Sequence, residues 1–501
     1  LGVGTQAWDQ TASAVTLYAH WLEPCDLVPT LAKMAPVVTI WDKQTVDMGV
    51  ARLLCDFDTT GVSYDLVSPP TPIAGCHFEY FDEQIHLMGM PNRGNSTTET
   101  VNVTLTMANN CVPSQSFDIT ITIRIYPEGQ KPKIAFILTG TEKNSIAAGG
   151  NFSAYNTSDS TACKDLLAYL KGFYDVTCVN GYATKDEAEI AEYYKQYDLL
   201  VVTDFLNTGK GYTNALGTLI DKKPILSFEA YVANQSNWHI GSNPKDPSPK
   251  VKTMKILCAG HAIFKDAEGV DVYNEADTTV QVLSTLSTAD KAKGLQGFTI
   301  NEAPDFIFLA TIRDEANSRD LVVCCERQIV FSARLLIYGI NFYEMGGLSP
   351  AGRVVMHQMI DYLLMTDETK IADCSLVFDN HNGTGVWSDP ENWAPGYNIV
   401  PTPYHPTRIA AVCNVDIDYA HAGSVKINQG RSGNPDGKLI IKPYGGLTVA
   451  GIVTKVNDTR YASPTTIKPG DLLIEADADH NGAFVYGNKE SDVSARVEYY
   501  S

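Results

Sequence analysis

Apolar and polar positions follow three different patterns along this chain. Between 22 and 128, short strand signals separated by turns fall at 37–41, 51–55, 77–81, 101–107 and 117–125, and the last alternates strictly. The last places Phe117, Ile119, Ile121, Ile123 and Ile125 at every second position, which predicts a strand with one buried and one wet face. Between 131 and 366 the segments become continuously apolar, at 133–139, 176–179, 199–204 and 225–229. Helical spacing lies between them. Cys163, Leu166, Leu167 and Leu170 share a face around 160–172, a Thr184-x-x-Glu187 capping box opens a helix to about Gln196, and another covers about 213–221. Further apolar strands fall at 306–310, 321–324 and 335–339. A Ser349 cap with Pro350 then starts a helix whose stripe is Met356, Met359, Ile360, Leu363 and Leu364. From 374 to 501 the pattern is short strands again, at 415–418, 424–428, 438–442, 447–450, 472–475, 483–486 and 495–499.

These patterns predict a multidomain chain. Regularly spaced strands over 22–128 read as an immunoglobulin-like β-sandwich, with Pro127-Glu128-Gly129 as linker. Trp41 and the cysteines do not follow the antibody Cys…Trp…Cys order, so only the sandwich architecture is expected. Apolar strands alternating with helices over 131–366 predict an α/β layered parallel sheet covered on both faces. Residues 374–501 read as all-β, a β-helix or a sandwich. Residues 1–21 hold one terminal strand carrying Val15, Leu17, Ala19 and Trp21.

At 501 residues the length suits about three or four domains. No apolar run reaches the roughly 18 residues of a membrane-spanning helix. A net charge of −20 repels phosphate backbones, which excludes nucleic acid as an expected partner and suits a secreted protein. Eleven cysteines occur without any C-x-x-C pair, so zinc ribbons and thioredoxin-like motifs are excluded. The first four predict disulfides; Cys25–Cys55 with Cys76–Cys111 is one of three connectivities. Cys324 and Cys325 follow an apolar run and are expected as buried thiols.

Several motifs carry resemblances. Val15-Thr16-Leu17-Tyr18-Ala19-His20-Trp21 resembles the closing strand of the Listeria–Bacteroides repeat, which implies that the rest of that module lies upstream of Leu1. Strand order, His261-Ala262-Ile263-Phe264 and Leu348-Ser349-Pro350-Ala351-Gly352 resemble the ThuA-like and class I glutamine-amidotransferase-like families. That resemblance implies a flavodoxin-like layered sheet. The amidotransferase chemistry needs a Cys on a strained strand-to-helix turn. Here the fourth strand ends Ser227-Phe228-Glu229-Ala230-Tyr231, without Cys or glycine. The resemblance therefore implies a non-catalytic or repurposed copy. The stretch from Gly383 to Trp393, together with Gly446-Leu447-Thr448-Val449, resembles the opening of β-helical regions in Bacteroidetes surface proteins. The sequence stops at Val497-Glu498-Tyr499-Tyr500-Ser501 without a polar capping element, and an uncapped solenoid exposes a sheet end, so more protein is expected beyond Ser501. The resemblance itself implies export by type IX secretion. Asp58-Thr59-Thr60, Asp159-Ser160-Thr161 and Asp277-Thr278-Thr279 match the short O-glycosylation pattern of the same bacteria.

Ligands on such sheets sit beyond the carboxyl ends of the strands. Asp204, Glu229 and His239 are the catalytic candidates there. Thr139, Thr141, Asn207, Lys210, Tyr231 and Trp238 are the ligand-binding candidates, suited to a sugar or to acid–base work. A polar sheet edge with solvated loops is the competing reading. Asp477, Asp479 and Asn481 match half of a calcium loop, so no cofactor is expected beyond a structural calcium there; a β-turn is the alternative. Trp387 and Trp393 are candidates for stacking on sugar or for capping a core. His239 and His261 are read as structural or surface histidines. The expected function is a secreted or cell-surface adhesin or scaffold that binds an extracellular glycan or protein. The alternative is a secreted enzyme acting on glycans, with its pocket over strands 3 and 4.

Overall fold

The computed structural model describes residues 30–34, 37–54, 64–67, 73–81, 84–94, 96–111, 114–138, 167–180, 187–203, 212–234, 238, 240, 243–274, 277–288, 293–299, 306–340, 342–371, 374–394, 400–402, 405–429, 437–449, 453–457, 472–475, 483–486 and 498–500. The chain is β-rich and builds several sheets.

The first unit has eight strands: β1 Thr30–Met34, β2 Val38–Trp41, β3 Val46–Leu54, β4 Tyr64–Val67, β5 Cys76–Phe81, β6 Gln84–Gly89, β7 Glu99–Asn109 and β8 Ser116–Tyr126. They form two four-stranded sheets, ordered β1-β3-β6-β5 and β2-β8-β7-β4. The alternation along β8 has the expected effect. Ile119, Ile121, Ile123 and Ile125 are buried against Val46, Met48, Ile85 and Leu87 of the other sheet. β2 pairs with β8 in parallel, while the other pairings are antiparallel.

The second unit is organised on one nine-stranded sheet. Its strands are β9 Lys133–Leu138, β10 Asp175–Asn180, β11 Leu199–Val202, β12 Ile225–Ser227, β13 Thr253–Ile256, β14 Thr279–Gln281, β15 Phe306–Asp314, β16 Arg319–Arg327 and β17 Leu335–Tyr338. The order is β10-β9-β11-β12-β17-β16-β15-β13-β14. The run from β10 to β17 is parallel, and the four pairings from β17 to β14 are antiparallel. This corrects the expectation of a wholly parallel sheet. The β15–β16 connection is a short turn at 315–318 whose Ser318 takes a left-handed φ of 48°, and a turn that short makes a hairpin, not a crossover. Apolar clusters cover both faces. Ile134, Phe136 and Val201 lie in one, while Ala135, Ile137 and Leu200 lie in the other.

Helical residues 167–173 pack Leu167 and Leu170 into the first of these clusters. Helices α1 Glu187–Tyr194 and α2 Tyr212–Gly217 cover the other face. Helix α3 Pro350–Leu364 begins as expected: the Ser349 hydroxyl accepts from Gly352 N at 2.9 Å. A Cβ at Gly352 would lie 2.2 Å from the Val282 carbonyl, so glycine lets the helix start dock on backbone. Met356, Met359, Ile360 and Leu363 are buried beneath it. Each contributes about 1.5–3 kcal/mol by leaving water.

The third unit contains β18 Leu376–Phe378, β19 Trp393–Ala394, β20 Pro406–Ile409, β21 Val412–Val415, β22 Ala420–Ala422, β23 Ser424–Gln429, β24 Lys438–Ile441, β25 Gly446–Val449, β26 Val453–Asn457, β27 Leu472–Glu475, β28 Ala483–Tyr486 and β29 Glu498–Tyr500. From β20 onward the sheets run β20-β23-β26, β21-β24-β27-β29 and β22-β25-β28, all parallel. The chain therefore visits three sheets in turn, and each circuit stacks on the one before. Ile409, Cys413, Val425, Leu439, Ile441 and Val449 fill the interior.

The units are tied together. Val330, Phe331 and Ala333 of the second unit join the core of the first. Thr366 accepts from Asp47 N at 2.8 Å, and its hydroxyl donates to the Thr45 carbonyl at 2.8 Å. A disulfide joins Cys258 to Cys374 across 116 residues, at the junction with the third unit. The early-cysteine pairing needs correction. Cys76 is a buried free thiol, because its place in β5 points it into the core. Cys111 is disulfide-bonded to a partner outside the described residues. Cys324 and Cys325 are buried and free, as expected.

Candidate functional site

The carboxyl ends of β11 and β12 carry less free chemistry than the sequence suggests. Glu229 lies past the end of β12 and is 4% exposed. Its carboxylate accepts from Tyr231 N at 2.9 Å and caps the turn at Ala230–Ala233. A Glu here satisfies a backbone donor that would otherwise be orphaned at the turn's start. Tyr231 is exposed. Trp238 is buried and donates its indole N–H to the Thr213 carbonyl at 2.9 Å. Its ring lies against Gly217, where a Cβ would come within 2.7 Å of it. Trp238, one of the ligand-binding candidates, is thus packed into the core under α2. Thr203, after β11, donates its hydroxyl to the Ile137 carbonyl at 2.8 Å and so ties β11 to β9. Thr139, Thr141, Asp204, Asn207, Lys210 and His239 lie outside the described residues, as do Asp477, Asp479 and Asn481 and the strand at 1–21.

A second polar group is buried inside the sheet-and-helix layer. Glu326 on β16, His261, Arg334 and Tyr362 on α3 are all at most 1% exposed. His261 Nε2 is 3.5 Å from Glu326 Oε1. Gln328 Nε2 donates to Glu326 Oε1 at 2.5 Å and to Tyr362 Oη at 2.7 Å. Arg334 lies over the rings of Phe331 and Tyr362, at 3.8 and 4.5 Å, and donates to the Met365 carbonyl at 3.0 Å. Burial raises the Glu326 carboxyl, but His261, Tyr362 and Arg334 outweigh it and hold the group below its usual range. Burial and the Glu326 charge push Tyr362 well up. None of these four side chains presents an exposed face to a substrate. His261 also accepts from Ile263 N at 3.3 Å through Nδ1, which confirms it as a structural histidine.

Among the described residues no thiol is activated. Burial pushes Cys324, Cys325 and Cys413 well above the ordinary range, and Cys76 and Cys178 to about 11. Trp387 and Trp393 are fully buried and stack edge to face at 4.7 Å, with the Trp393 indole donating to the Trp387 carbonyl at 2.9 Å. They cap the core of the third unit. Asp277 accepts from Thr279 N and Oγ1 at 3.2 and 2.8 Å, which makes that Asp-Thr-Thr stretch a tight turn.

Two polar clusters between the first and second units were not found from sequence. Asp198, just before β11, accepts at Oδ1 from Thr39 Oγ1 at 2.7 Å and from Arg124 at 2.9 Å; at Oδ2 it accepts from Lys133 N at 2.8 Å. Lys223 is buried beside it and donates to the Tyr197 carbonyl and, at 3.3 Å, to that of Lys195. Burial pulls this ammonium down to about 8, against the opposing pull of Asp198. A narrow cleft lined by Val37, Trp41, Asp198, Pro224 and Leu364 opens here. In the second cluster His86 faces Glu368 at 3.3 Å and Asp47 at 4.0 Å. The partners are up to 321 residues apart, so no local spacing announces them. The only sequence signal is a charged residue where the strand pattern of β3 or β8 expects an exposed one.

No family model matches the chain, and no curated protein matches it. Among solved structures, a nucleoside hydrolase-related protein from Saccharophagus degradans is 12% identical, with a TM-score of 0.14, over 20% of this chain and 25% of that one. A SusE-like surface-located polysaccharide-binding protein from Bacteroides thetaiotaomicron is 15% identical, with a TM-score of 0.14, over 24% and 22%. A sialyltransferase from Photobacterium damsela is 10% identical, with a TM-score of 0.14, over 39% and 42%. The chain thus spans between 22% and 42% of the length of these structures. Likeness this low carries no argument about function.

Proposed function

We propose that this chain is a non-catalytic scaffold within a secreted or cell-surface modular protein, binding an extracellular glycan or protein. In this reading an immunoglobulin-like first unit, an amidotransferase-like second unit and a β-helical third unit act as one stiff body. The observation that carries the reading is the fate of the candidate side chains. Glu229 caps a turn, while Trp238, Trp387 and Trp393 are packed into cores. The Cys258–Cys374 bridge supports an oxidising compartment. No helix among the described residues is long and apolar enough to cross a membrane. A glycan-processing enzyme would need Glu229 free at the strand ends, and its cap bond counts against that role.

The test is a glycan and extracellular-protein array probed with the chain, beside a hydrolysis assay on the same glycans. Binding without turnover, unchanged by Glu229→Gln, is expected. Turnover that Glu229→Gln removes, with the fold preserved, overturns the proposal.

A further inference from the structure

We propose that Asp47, His86 and Glu368 form a divalent transition-metal site that clamps the first unit to the second. The three residues come from β3, β6 and the turn Glu368–Lys370. One donor atom from each lies within 4.8 Å of the other two. His86 Nδ1 is 3.3 Å from Glu368 Oε1 and 4.0 Å from Asp47 Oδ1. Tetrahedral bonds of about 2.0–2.1 Å place neighbouring donors roughly 3.3 Å apart, so an ion enters with sub-ångström adjustments.

His86 supplies the independent observation. It is 2% exposed, and among the described residues neither ring nitrogen has a hydrogen-bond partner. A buried imidazole nitrogen without a partner is costly, and a bond from Nδ1 to a cation gives that nitrogen one. Phe81 stacks on the ring at 3.8 Å and 16°, which fixes its plane with Nδ1 toward the two carboxylates. The carboxylates are positioned as firmly. Asp47 N donates to the Thr366 carbonyl at 2.8 Å, and Asp47 bridges Asp367 in parallel. Asp367 in turn caps the turn that carries Glu368, accepting from Thr369 N at 3.0 Å.

Donor chemistry selects the ion. One imidazole with two carboxylates suits zinc, manganese or iron(II) better than the all-oxygen preference of calcium or magnesium. A divalent charge also matches two carboxylates, whereas a proton on His86 matches one. Three protein donors leave one position for water.

The competing account is a bare His86–Glu368 ion pair. Untagged chain is stripped with a chelator, then titrated with zinc chloride by calorimetry and followed by thermal unfolding and metal analysis. The proposal predicts about one zinc per chain and a rise in Tm. His86→Ala and Glu368→Gln should each weaken zinc binding about a hundredfold or more. Glu368→Gln is isosteric, and circular dichroism checks that it keeps the fold. No zinc uptake by the unsubstituted chain overturns the proposal. So does equal uptake by a folded Glu368→Gln variant.

Discussion

Replacing Asp198 with Ala tests how firmly the first two units are joined. Its side chain is 1% exposed and holds Thr39 Oγ1, Arg124 and the backbone N–H of Lys133. Hydrogen bonds to a charged partner contribute about 1.5–3 kcal/mol each, and opening a buried ion pair costs about 3–5 kcal/mol. Arg124 is 14% exposed and keeps bonds to the carbonyls of Lys195 and Gln196, at 3.0 and 3.3 Å. It is therefore not fully orphaned, which places Asp198→Ala near the lower end, about 3 kcal/mol. Asp198→Asn keeps one acceptor for Thr39 and Arg124 but turns an amide toward Lys133 N–H; it should cost about half as much. Urea unfolding followed by Trp41 fluorescence reads the loss, because Trp41 lines the same cleft as Asp198. The Ala variant should open the junction at lower urea than the body of either unit. A cost below about 0.5 kcal/mol, in the range of a surface pair, would refute the reasoning. An Asn variant worse than Ala would refute it too.

Other expected outcomes follow from separate parts of the fold. Reducing the Cys258–Cys374 bridge opens a 116-residue loop and should lower stability by about 4.8 kcal/mol, read by unfolding with and without reductant. His405 is 3% exposed, and burial, then Lys255, lowers its pKa to about 4. The unfolded chain binds this proton near pH 6.5, so the stability is full above that value and falls as pH drops to about 4, by about 3 kcal/mol. His405→Gln should flatten that part of the stability-against-pH curve. Trp393→Ala should destabilise the third unit by about 3–5 kcal/mol without changing ligand binding by the other units, checked by thermal unfolding beside the array assay.

The sequence carried the parts of the fold that depend on local pattern. Alternation in β8, the continuous apolar runs of β9 and β11, and the Ser349-Pro350 start of α3 all appear where the spacing places them. Pairing direction was less legible. β15 and β16 are as apolar as parallel strands, because both of their faces are covered, and only the tight turn at Ser318 makes them a hairpin. At the carboxyl edge, composition alone did not separate a ligand-facing Glu229 or Trp238 from a turn cap and a core indole. That difference rests on one backbone N–H of Tyr231 and one carbonyl of Thr213. The clusters around Asp198 and His86 were invisible for another reason. They form only when two units dock, and residues from distant segments meet there.

The central claim is that this chain binds without turning over its ligand. Its most direct test measures binding and cleavage on the same glycan panel for the unsubstituted chain and Glu229→Gln. The account predicts retained binding in both and product in neither. Cleavage by the unsubstituted chain, abolished in a folded Glu229→Gln variant, would contradict it.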